Sequence, residues 1–392
     1  MSILRLEYSR NIGNQSKLDE RILNYIEQNR CEYYDDILQD EKQFGVWYQL
    51  SELRTGLLSW YPFKKSDVVL EIGAGFGGLT GLLCDKCGQV MATERADFRA
   101  KAIASRWEKK ENLLVYAGEW SEMDFGQKFD YIILTGLLER IGRGSSDLNV
   151  YADYLKRVSG LLKEDGKILF SVENRFGLKY FCGAPEPHTN CAFDGLNQFR
   201  QGTGGYSFSK KELEDILDKT ELKYHKFYYL LPDYKLPQLV YTDAHLPEKN
   251  LDERLIPYYQ RSDTLIASEQ RLYRDVIDNG VFPFFANSYL IEAGKKENMG
   301  AVVYAAVSTD RGREKSYATS IYANGEVLKA PVFAEGKENA KDLYAHIVDL
   351  KEHGIPVIEH VMQKDGGLKM PYVSHPTLSN YLKKIVETDA KQ

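Results

Sequence analysis

Short apolar runs alternate with amphipathic segments from about Val68 to about Asn174. The runs DVVLEIG, GQVMATE, NLLVYAGE, FDYIILTG and KILFSVEN are nearly continuous in apolar residues, which is typical of strands buried on both faces. The segments LTGLLCDKC, DFRAKAIASRWEKK and VYADYLKRVSGLLKEDG have helical spacing, and the last is expected to close at Asp165-Gly166. Strands that alternate with helices predict an α/β fold with a parallel sheet covered on both faces.

The segments before and after this region predict further helices and strands. The stretch from about Leu18 to Trp60 has apolar residues at helical intervals and precedes Pro62, so it predicts a helical N-terminal region. After Asn174, the segments SFSKKELEDILDKT and ASEQRLYRDVIDNG predict helices, and KYHKFYYLLP and FFANSYLIEA predict strands.

A short polar stretch before Gly300 is the expected start of a third unit. Beyond it, AVVYAAVST, KSYATSIYA and EVLKAPVF predict strands, and ENAKDLYAHIVDLKEHG predicts a helix. A chain of 392 residues is long enough for more than one domain. We predict a helical lid region, an α/β domain with insertions, and a smaller α+β domain, at residues 1–64, 65–295 and 300–392.

Composition narrows the class of partner. The net charge of −6 argues against nucleic acid, whose binding surfaces are usually basic. No apolar run is long enough for a membrane span, and the start of the sequence lacks a signal-peptide pattern. Five cysteines, an odd and sparse set, fit reduced thiols and a cytoplasmic location. Cys84 and Cys87 lie in a predicted helix with no second CxxC pair, so we expect core thiols and no metal.

The strongest motif is LEIGAGFGG, from Leu70 to Gly78. Gly73, Gly75 and Gly77 allow a tight turn between strand and helix, where a cofactor can approach the backbone and the helix N-terminus. The spacing also satisfies the dinucleotide fingerprint, so by itself it leaves NAD open. Glu71 favours S-adenosyl-L-methionine (SAM), because a carboxylate there attracts the methionyl ammonium and repels a pyrophosphate.

Later strand ends carry residues that fit the same ligand. Glu94 ends the second strand, where a carboxylate binds ribose hydroxyls. Glu119 and Trp120 follow the third strand, where a polar group meets the adenine amine and an aromatic ring stacks on the base. Thr135 ends the fourth strand and is expected to face the transferable methyl group, whereas Glu139 is interpreted as an acid at a helix N-terminus.

The run from Glu71 to Asn174 resembles class I SAM-dependent methyltransferases, which have a Rossmann-like fold. The segments ENRFGLKYFCGAPEPHT, PDYKLPQLVYTDAHLP and FPFFANSYLIE more narrowly resemble methyltransferases encoded beside glycosyltransferases in bacterial cell-surface polysaccharide clusters. This resemblance implies methyl transfer to a hydroxyl of a glycan or sugar and association with glycosyltransferases. An NAD-dependent oxidoreductase or epimerase and a non-catalytic SAM-binding scaffold remain the alternatives.

The loop after the fifth predicted strand supplies the acceptor-side candidates. His188 is the candidate base, since an unperturbed histidine titrates near neutral pH, and a similar loop of ubiquinone-biosynthesis O-methyltransferases also carries a Thr/His pair. The alternative is a histidine that only orders the loop. Glu186 is expected to orient His188, and Glu173, Asn174 and Arg175 are expected to position sugar hydroxyls.

The C-terminal segment GREKSYATSIYANGEVLKAPVF resembles the N-lobe of protein-kinase-like folds, as in O-antigen methyltransferase–kinase fusions. Lys329 matches the position of the strand lysine that holds nucleotide phosphates. No HRD or DFG motif follows before residue 392, so we expect no kinase activity from this chain. A purely structural β-rich domain is the alternative.

Overall fold

One continuous sheet runs through the part of the chain that the computed structural model describes, namely residues 3–5, 15–29, 31–199, 202–248, 250–309 and 311–389. Its strands are β1 Ile3–Arg5, β2 Val68–Ile72, β3 Gln89–Glu94, β4 Leu113–Ala117, β5 Phe129–Thr135, β6 Leu162–Glu173, β7 Tyr224–Leu231, β8 Leu239–Tyr241, β9 Ser288–Gly294, β10 Val302–Ser308, β11 Tyr317–Tyr322, β12 Glu326–Pro331, β13 Val361–Met362 and β14 Leu368–Pro371.

Helices cover the sheet and flank its ends. They are α1 Lys17–Asn29, α2 Phe44–Leu50, α3 Thr80–Lys86, α4 Asp97–Arg106, α5 Leu138–Ile141, α6 Leu148–Ser159, α7 Leu178–Phe181, α8 Lys210–Asp218, α9 Leu251–Arg254, α10 Glu269–Asp278, α11 Phe282–Phe285, α12 Gly336–Glu352 and α13 Leu378–Asp389. In the described ranges, each helix is too short or too polar to cross a lipid bilayer.

The strand order places a ligand crevice in the first half of the sheet. Strands β4, β3, β2, β5 and β6 are parallel neighbours, and β9 pairs antiparallel with β6 and β7. The chain reverses its direction of strand addition between β2 and β5, and open α/β sheets bind ligands beyond the strand carboxyl ends at such a point. The predicted Rossmann-like α/β fold is therefore confirmed, and its crevice lies after Ile72 and Thr135.

Two hydrophobic cores, one on each face, hold this half together. One contains Leu70, Ile132 and Phe170 with the apolar side of α6, and the other contains Val69 and Val90 with the apolar side of α3 and α4. Each strand thus buries both of its faces, as near-continuous apolar runs predict. Cys84 on α3 and Cys87, the first residue after that helix, are both buried in the second core, as expected of core thiols.

Some predicted helices end earlier than the periodicity indicated, and α4 for example stops at Arg106 instead of Lys110. Helix α6 stops at Ser159 instead of running to Gly166, because Leu162 already pairs with Phe129 as the first residue of β6. The N-terminal region is likewise interrupted. Residues 31–43 form turns and loops between α1 and α2, and Tyr34 and Leu38 from this stretch pack into the small core that α1 and α2 share.

The N-terminal region forms one wall of the crevice. Its core of Ile22, Ile26, Val46 and Leu50 includes Phe76 from the glycine loop, so the helices are packed against the cofactor side of the sheet. A lid function for residues 1–64 agrees with this position and stays a prediction.

The C-terminal segment continues the sheet through a short link. Strand β10 pairs with β8, and the order then runs β10, β11, β12, β14, β13, with α12 between β12 and β13 in the chain. Val302, Ala305 and Ala318 share a core with Val69 and Val90. The predicted boundary near residue 300 thus falls inside a continuous sheet, and the domain division stays a prediction.

Candidate active site

A deep cleft opens at the carboxyl ends of the parallel strands. Its volume is about 1110 Å³, slightly above the range of about 300–1,000 Å³ that is usual for small-molecule sites. Seven of the predicted site residues line it: Gly73, Gly75, Glu94, Glu119, Trp120, Thr135 and His188. The structure therefore brings most of the predicted cofactor residues and the candidate base to one cavity.

The glycine loop has the backbone that its sequence predicts. Gly73, Gly75 and Gly77 have φ values of 72°, 62° and 76°, in the left-handed region that side chains disfavour. A Cβ on Gly75 would lie 2.9 Å from Oε1 of Gln49, so the loop is also closely approached by α2. Gly77 turns away from the cleft instead, and its carbonyl accepts a hydrogen bond from Nε1 of Trp107 over 2.9 Å.

Glu94 is fixed at the end of β3 with its carboxylate at the cleft. Its Oε2 accepts the Gly75 amide over 2.9 Å, and its Oε1 accepts the Arg95 amide over 3.0 Å. Burial raises the pKa of Glu94 above its usual range, although nearby Arg99 and these amides oppose the shift. Oε1 also accepts the Ala96 amide over 3.4 Å, whereas Oε2 keeps a further lone pair with which it can accept a hydrogen bond from a ligand hydroxyl.

Glu71 lies below the loop rather than in the main cleft. It lines a small pocket of about 40 Å³ together with Tyr48, Arg54 and Thr135, and its Oε2 accepts a hydrogen bond from Oγ1 of Thr80 over 2.6 Å. Burial raises the pKa of Glu71 to about 7. This position fits an acid that organises the loop and offers charge compensation to a cation above it.

Glu119 and Trp120 form the far end of the cleft. The Glu119 carboxylate pairs with Nε of Arg95 at 3.2 Å. The Trp120 ring packs edge-to-face on Tyr154, with 5.6 Å between centroids, and the Arg157 guanidinium lies over it at 5.9 Å. A base-stacking role for Trp120 agrees with its place on the cleft wall and stays a prediction.

His188 is buried at the opposite side of the cleft, next to an acid that the sequence did not assign to the site. Its Nε2 lies 3.9 Å from Oε2 of Glu139, its side chain is 8% exposed, and Nε2 has no hydrogen-bond partner among the described residues. Burial lowers the pKa of His188, so the imidazole is neutral at pH 7. A neutral imidazole whose Nε2 lacks a hydrogen-bond partner has the properties of a proton acceptor, and this nitrogen is itself buried beneath the cleft wall.

Glu139 is held rigidly beside this histidine. Its Oε1 accepts the backbone amide of Glu173 over 2.6 Å, which leaves Oε2 directed at His188. Burial, followed by the charge of Glu173, raises the pKa of Glu139 to about 7. The segment TGLLE after the fourth predicted strand is the local signal for this acid, and the interpretation of Glu139 as an acid supported by a helix N-terminus does not account for its contact with His188.

Glu186 contacts the backbone around His188 instead of the imidazole ring. Its Oε2 accepts the amides of His188 and Thr189 over 2.6 and 3.0 Å, and its Oε1 accepts Oγ of Ser207 over 2.7 Å. Glu186 thereby shapes the loop that carries the histidine. Its predicted catalytic role stays a prediction, in the form of positioning through the main chain.

The three residues predicted to bind substrate are engaged elsewhere. Glu173 is buried and pairs with Lys179 and Lys235. Nδ2 of Asn174 donates to main-chain carbonyls after α10, those of Phe284 and Ala286, and the Arg175 guanidinium pairs with Glu212. The structure does not bring Asn174 or Arg175 to the cleft wall, whereas Lys235, which the sequence did not single out, does line it.

The residues fit SAM as a ligand. The cleft is large enough, two glycines expose the loop backbone to it, and carboxylates lie at both the loop and the strand end. Glu71, which is buried next to the loop, also disfavours the pyrophosphate of a dinucleotide.

Part of the chain is similar in sequence to known methyltransferases. The chain is 36% identical over 131 residues to an uncharacterised methyltransferase of Staphylococcus carnosus. The matched residues make up 33% of this chain and 57% of that protein. It is 37% identical over 70 residues to a probable ribosomal RNA small subunit methyltransferase A of Methanosarcina acetivorans. These residues make up 18% of this chain and 26% of that protein. The cofactor is S-adenosyl-L-methionine. The chain spans a little over half of the first relative and about a quarter of the second, and no family model matches it.

Solved structures give weak likenesses. A putative O-methyltransferase of Nostoc punctiforme is 14% identical with a TM-score of 0.35, covering 55% of this chain and 66% of that one. The N-methyltransferase NodS of Bradyrhizobium japonicum, in complex with S-adenosyl-L-homocysteine, is 12% identical with a TM-score of 0.32, covering 52% and 86%.

Proposed function

We propose that the chain is a SAM-dependent methyltransferase that acts on a hydroxyl group of a sugar or cell-surface glycan. The observation that carries the proposal is the shared cavity. The glycine loop with Glu94 lies on one side of a cleft, and the pair of His188 and Glu139 lies on the other. Sequence similarity of a third of the chain to a methyltransferase supports the reaction class.

The cofactor side of the cleft is built to bind and orient. The backbone at Gly73 and Gly75 offers close approach, Glu94 would accept the ribose hydroxyls, and Glu71 would balance the positive charge of the methionyl ammonium. Trp120 would cover the base. The cofactor supplies a methyl group activated on a sulfonium, so this chain needs to align an acceptor and remove its proton.

The acceptor side supplies the proton path. Nε2 of His188 would take the hydroxyl proton as the oxygen attacks, which leaves an imidazolium. The Glu139 carboxylate lies close enough to stabilise that cation, in the way that an acid supports the histidine of a catalytic triad. The low exposure of both side chains strengthens this interaction, because buried charges are poorly screened.

The choice of a sugar hydroxyl rests on sequence. The loop that carries His188 belongs to the segments resembling methyltransferases of cell-surface polysaccharide clusters, and the same resemblance supports association with glycosyltransferases. A hydroxyl also suits a neutral imidazole, which removes the proton of an alcohol as it is alkylated.

The C-terminal unit is proposed as structural support rather than a phosphate-transfer site. Nζ of Lys329 lies 5.0 Å from the centre of the Tyr317 ring, and the guanidinium of Arg313 lies between Tyr33 and Phe333 while pairing with Glu52. These contacts favour a role in bracing the N-terminal region.

Two measurements test the function. Calorimetry should detect binding of SAM and S-adenosyl-L-homocysteine and no comparable binding of NAD; tight NAD binding with no SAM binding would overturn the proposal. Mass spectrometry of glycans from cells with and without the gene should show a methyl-sized difference. Cells that carry a His188→Asn chain in place of the wild type should resemble the deletion, whereas His346→Asn, on the exposed face of α12, should restore the methylated glycan.

A further inference from the structure

One rim of the cleft carries an arginine cluster, which is Arg140, Arg143 and Arg157. All three line the cavity and are exposed to solvent. Among the described residues, none of the three donates a side-chain hydrogen bond or forms an ion pair, and Arg157 contacts only the rings of Trp120 and Tyr154 through its guanidinium. Three guanidinium groups thus face the cleft with their donors available for a ligand.

Among the described acids of the cleft, none forms an ion pair with an arginine of the cluster, although Arg140 is close enough to Glu139 for its charge to favour the carboxylate. Asp19 is paired with Arg99, Glu119 with Arg95, and Glu94 accepts backbone amides, while Glu139 accepts the amide of Glu173. The rim of a chain with a net charge of −6 therefore has a local excess of positive charge. Such an excess in a concave site attracts anions and raises their local concentration.

The cluster extends from the cofactor side to the acceptor side. Arg157 lies at Trp120, and Arg140 is close enough to His188 for its charge to disfavour the imidazolium. A ligand that engages the cluster near Arg140 would hold its neighbouring hydroxyl groups close to the candidate base. The arginines therefore suit the acceptor rather than the cofactor, because the sulfonium gives SAM a net positive charge that three guanidinium groups would repel.

We propose, on the basis of the methyltransferase function above, that the acceptor carries a phosphate or diphosphate group and that the arginine cluster binds it. Arginine donates two parallel hydrogen bonds to phosphate oxygens, and several arginines together match a multiply charged anion better than a single carboxylate. The acceptor class is accordingly a phosphorylated or diphosphate-linked sugar rather than a neutral glycan.

The first test uses inorganic pyrophosphate as the probe and calorimetry as the readout. The full chain with bound S-adenosyl-L-homocysteine should bind pyrophosphate, and binding should weaken at high salt, because contacts at an exposed rim are screened. Arg140→Gln, Arg143→Gln and Arg157→Gln should each weaken pyrophosphate binding at least threefold, and the triple variant should lose it. Arg271→Gln is the matched control, since Arg271 is an exposed arginine on α10 that does not line the cleft.

The second test separates two sources of the same group. Uridine diphosphate represents a soluble diphosphate ester, and vesicles that contain a polyprenyl diphosphate represent a lipid-linked one. Binding of either probe that depends on the arginine cluster supports the proposal and identifies the source. Equal pyrophosphate affinities in the triple variant and Arg271→Gln, or no pyrophosphate binding by the wild type, would overturn it.

The two proposals fail differently. If only the phosphate proposal is wrong, S-adenosyl-L-homocysteine still binds to the wild-type chain, to the three single arginine variants and to the triple variant. Failure of the methyltransferase proposal would appear as absent binding of SAM and S-adenosyl-L-homocysteine by the wild-type chain, whatever its affinity for pyrophosphate.

Discussion

The backbone amide of Gly75 donates a hydrogen bond to Oε2 of Glu94 over 2.9 Å, which joins the glycine loop to the end of the neighbouring strand. The contact fixes the loop and the carboxylate relative to each other before a ligand arrives. Preorganisation of this kind lowers the entropic cost of binding.

Replacement of Glu94 by alanine should weaken binding of S-adenosyl-L-homocysteine on the order of tenfold to a hundredfold, because hydrogen bonds to a charged group contribute about 1.5–3 kcal/mol. Calorimetry measures the change. Glu122→Ala is the control, since Glu122 is an exposed acid just beyond Trp120. Equal affinities for the two variants would exclude Glu94 from the cofactor site.

Replacement of Glu71 by glutamine should stabilise the ligand-free protein at pH 8 while it weakens SAM binding. Burial raises the pKa of Glu71 to about 7 from an ordinary 4.5, so the folded state binds a proton that the unfolded state has lost. Stability is therefore lost as pH rises from about 4.5 through 7, by on the order of 3 kcal/mol. Glutamine keeps an acceptor for Thr80 without this penalty.

Thermal unfolding at pH 4.5 and pH 8 checks this prediction. The melting temperatures of wild type and Glu71→Gln should be close at the lower pH, and the variant should melt higher at pH 8. A variant that is less stable than wild type at pH 8 would show that Glu71 is ionised and compensated in the folded chain.

Replacement of His188 by asparagine should lower kcat by about 10²–10⁴-fold, the usual contribution of a general base, and leave the affinity for S-adenosyl-L-homocysteine within twofold. A radiolabelled methyl-transfer assay and calorimetry provide the two readouts. The His346→Asn variant should keep both values. Full turnover by His188→Asn would reduce His188 to a residue that only orders its loop.

The pH profile of kcat should depend on Glu139. Burial and Glu173 raise the pKa of Glu139 to about 7, so the carboxylate that supports an imidazolium is present above pH 7 and lost below it. The wild-type kcat should therefore rise between about pH 6 and 8. In Glu139→Gln this rise near pH 7 should disappear, and the maximal kcat should be lower. Any remaining rise of kcat should lie below pH 6.5, because burial lowers the pKa of His188 below that value. A limb near 7 that persists in the variant would contradict the assignment.

Replacement of Arg313 by lysine should destabilise the chain even though the charge is kept. The guanidinium lies 3.4 Å from the centre of the Tyr33 ring and 4.2 Å from that of Phe333, and it pairs with both Glu52 and Glu335. Lysine cannot stack flat between two rings or form two paired contacts. We expect a loss of about 1–2 kcal/mol in unfolding free energy. Lys315→Arg, at an exposed neighbouring position, should change the denaturation midpoint little.

Sequence alone predicted the elements whose signals are local. The glycine loop, the buried strands and the acid that ends β3 each depend on a few adjacent residues, and Gly73, Gly75 and Glu94 lie where they were expected. The predicted end of α6 was wrong. The helical period continues past Ser159, but Leu162 pairs with Phe129 as a strand residue, and this long-range contact overrides the local pattern.

The acceptor side depends on long-range contacts and was less predictable. Glu139 and His188 are 49 positions apart, and only the packed fold brings them to 3.9 Å. Arg175 and Asn174 follow a strand end as expected, yet their polar atoms are used by α8 and by the turn after α11. The direction of a side chain at a strand end is set by neighbours that the local pattern does not specify.

The sheet that runs from β4 to β13 without a break has a mechanical consequence. Because β8 and β10 are hydrogen-bonded and Val302 and Ala305 share a core with Val69, the chain has no seam near residue 300 about which its halves can swing. We therefore expect the cleft to open by movement of helices α1 and α2, which contact the glycine loop through the small core around Phe76. In this prediction the sheet stays rigid, and the two N-terminal helices form the wall that moves.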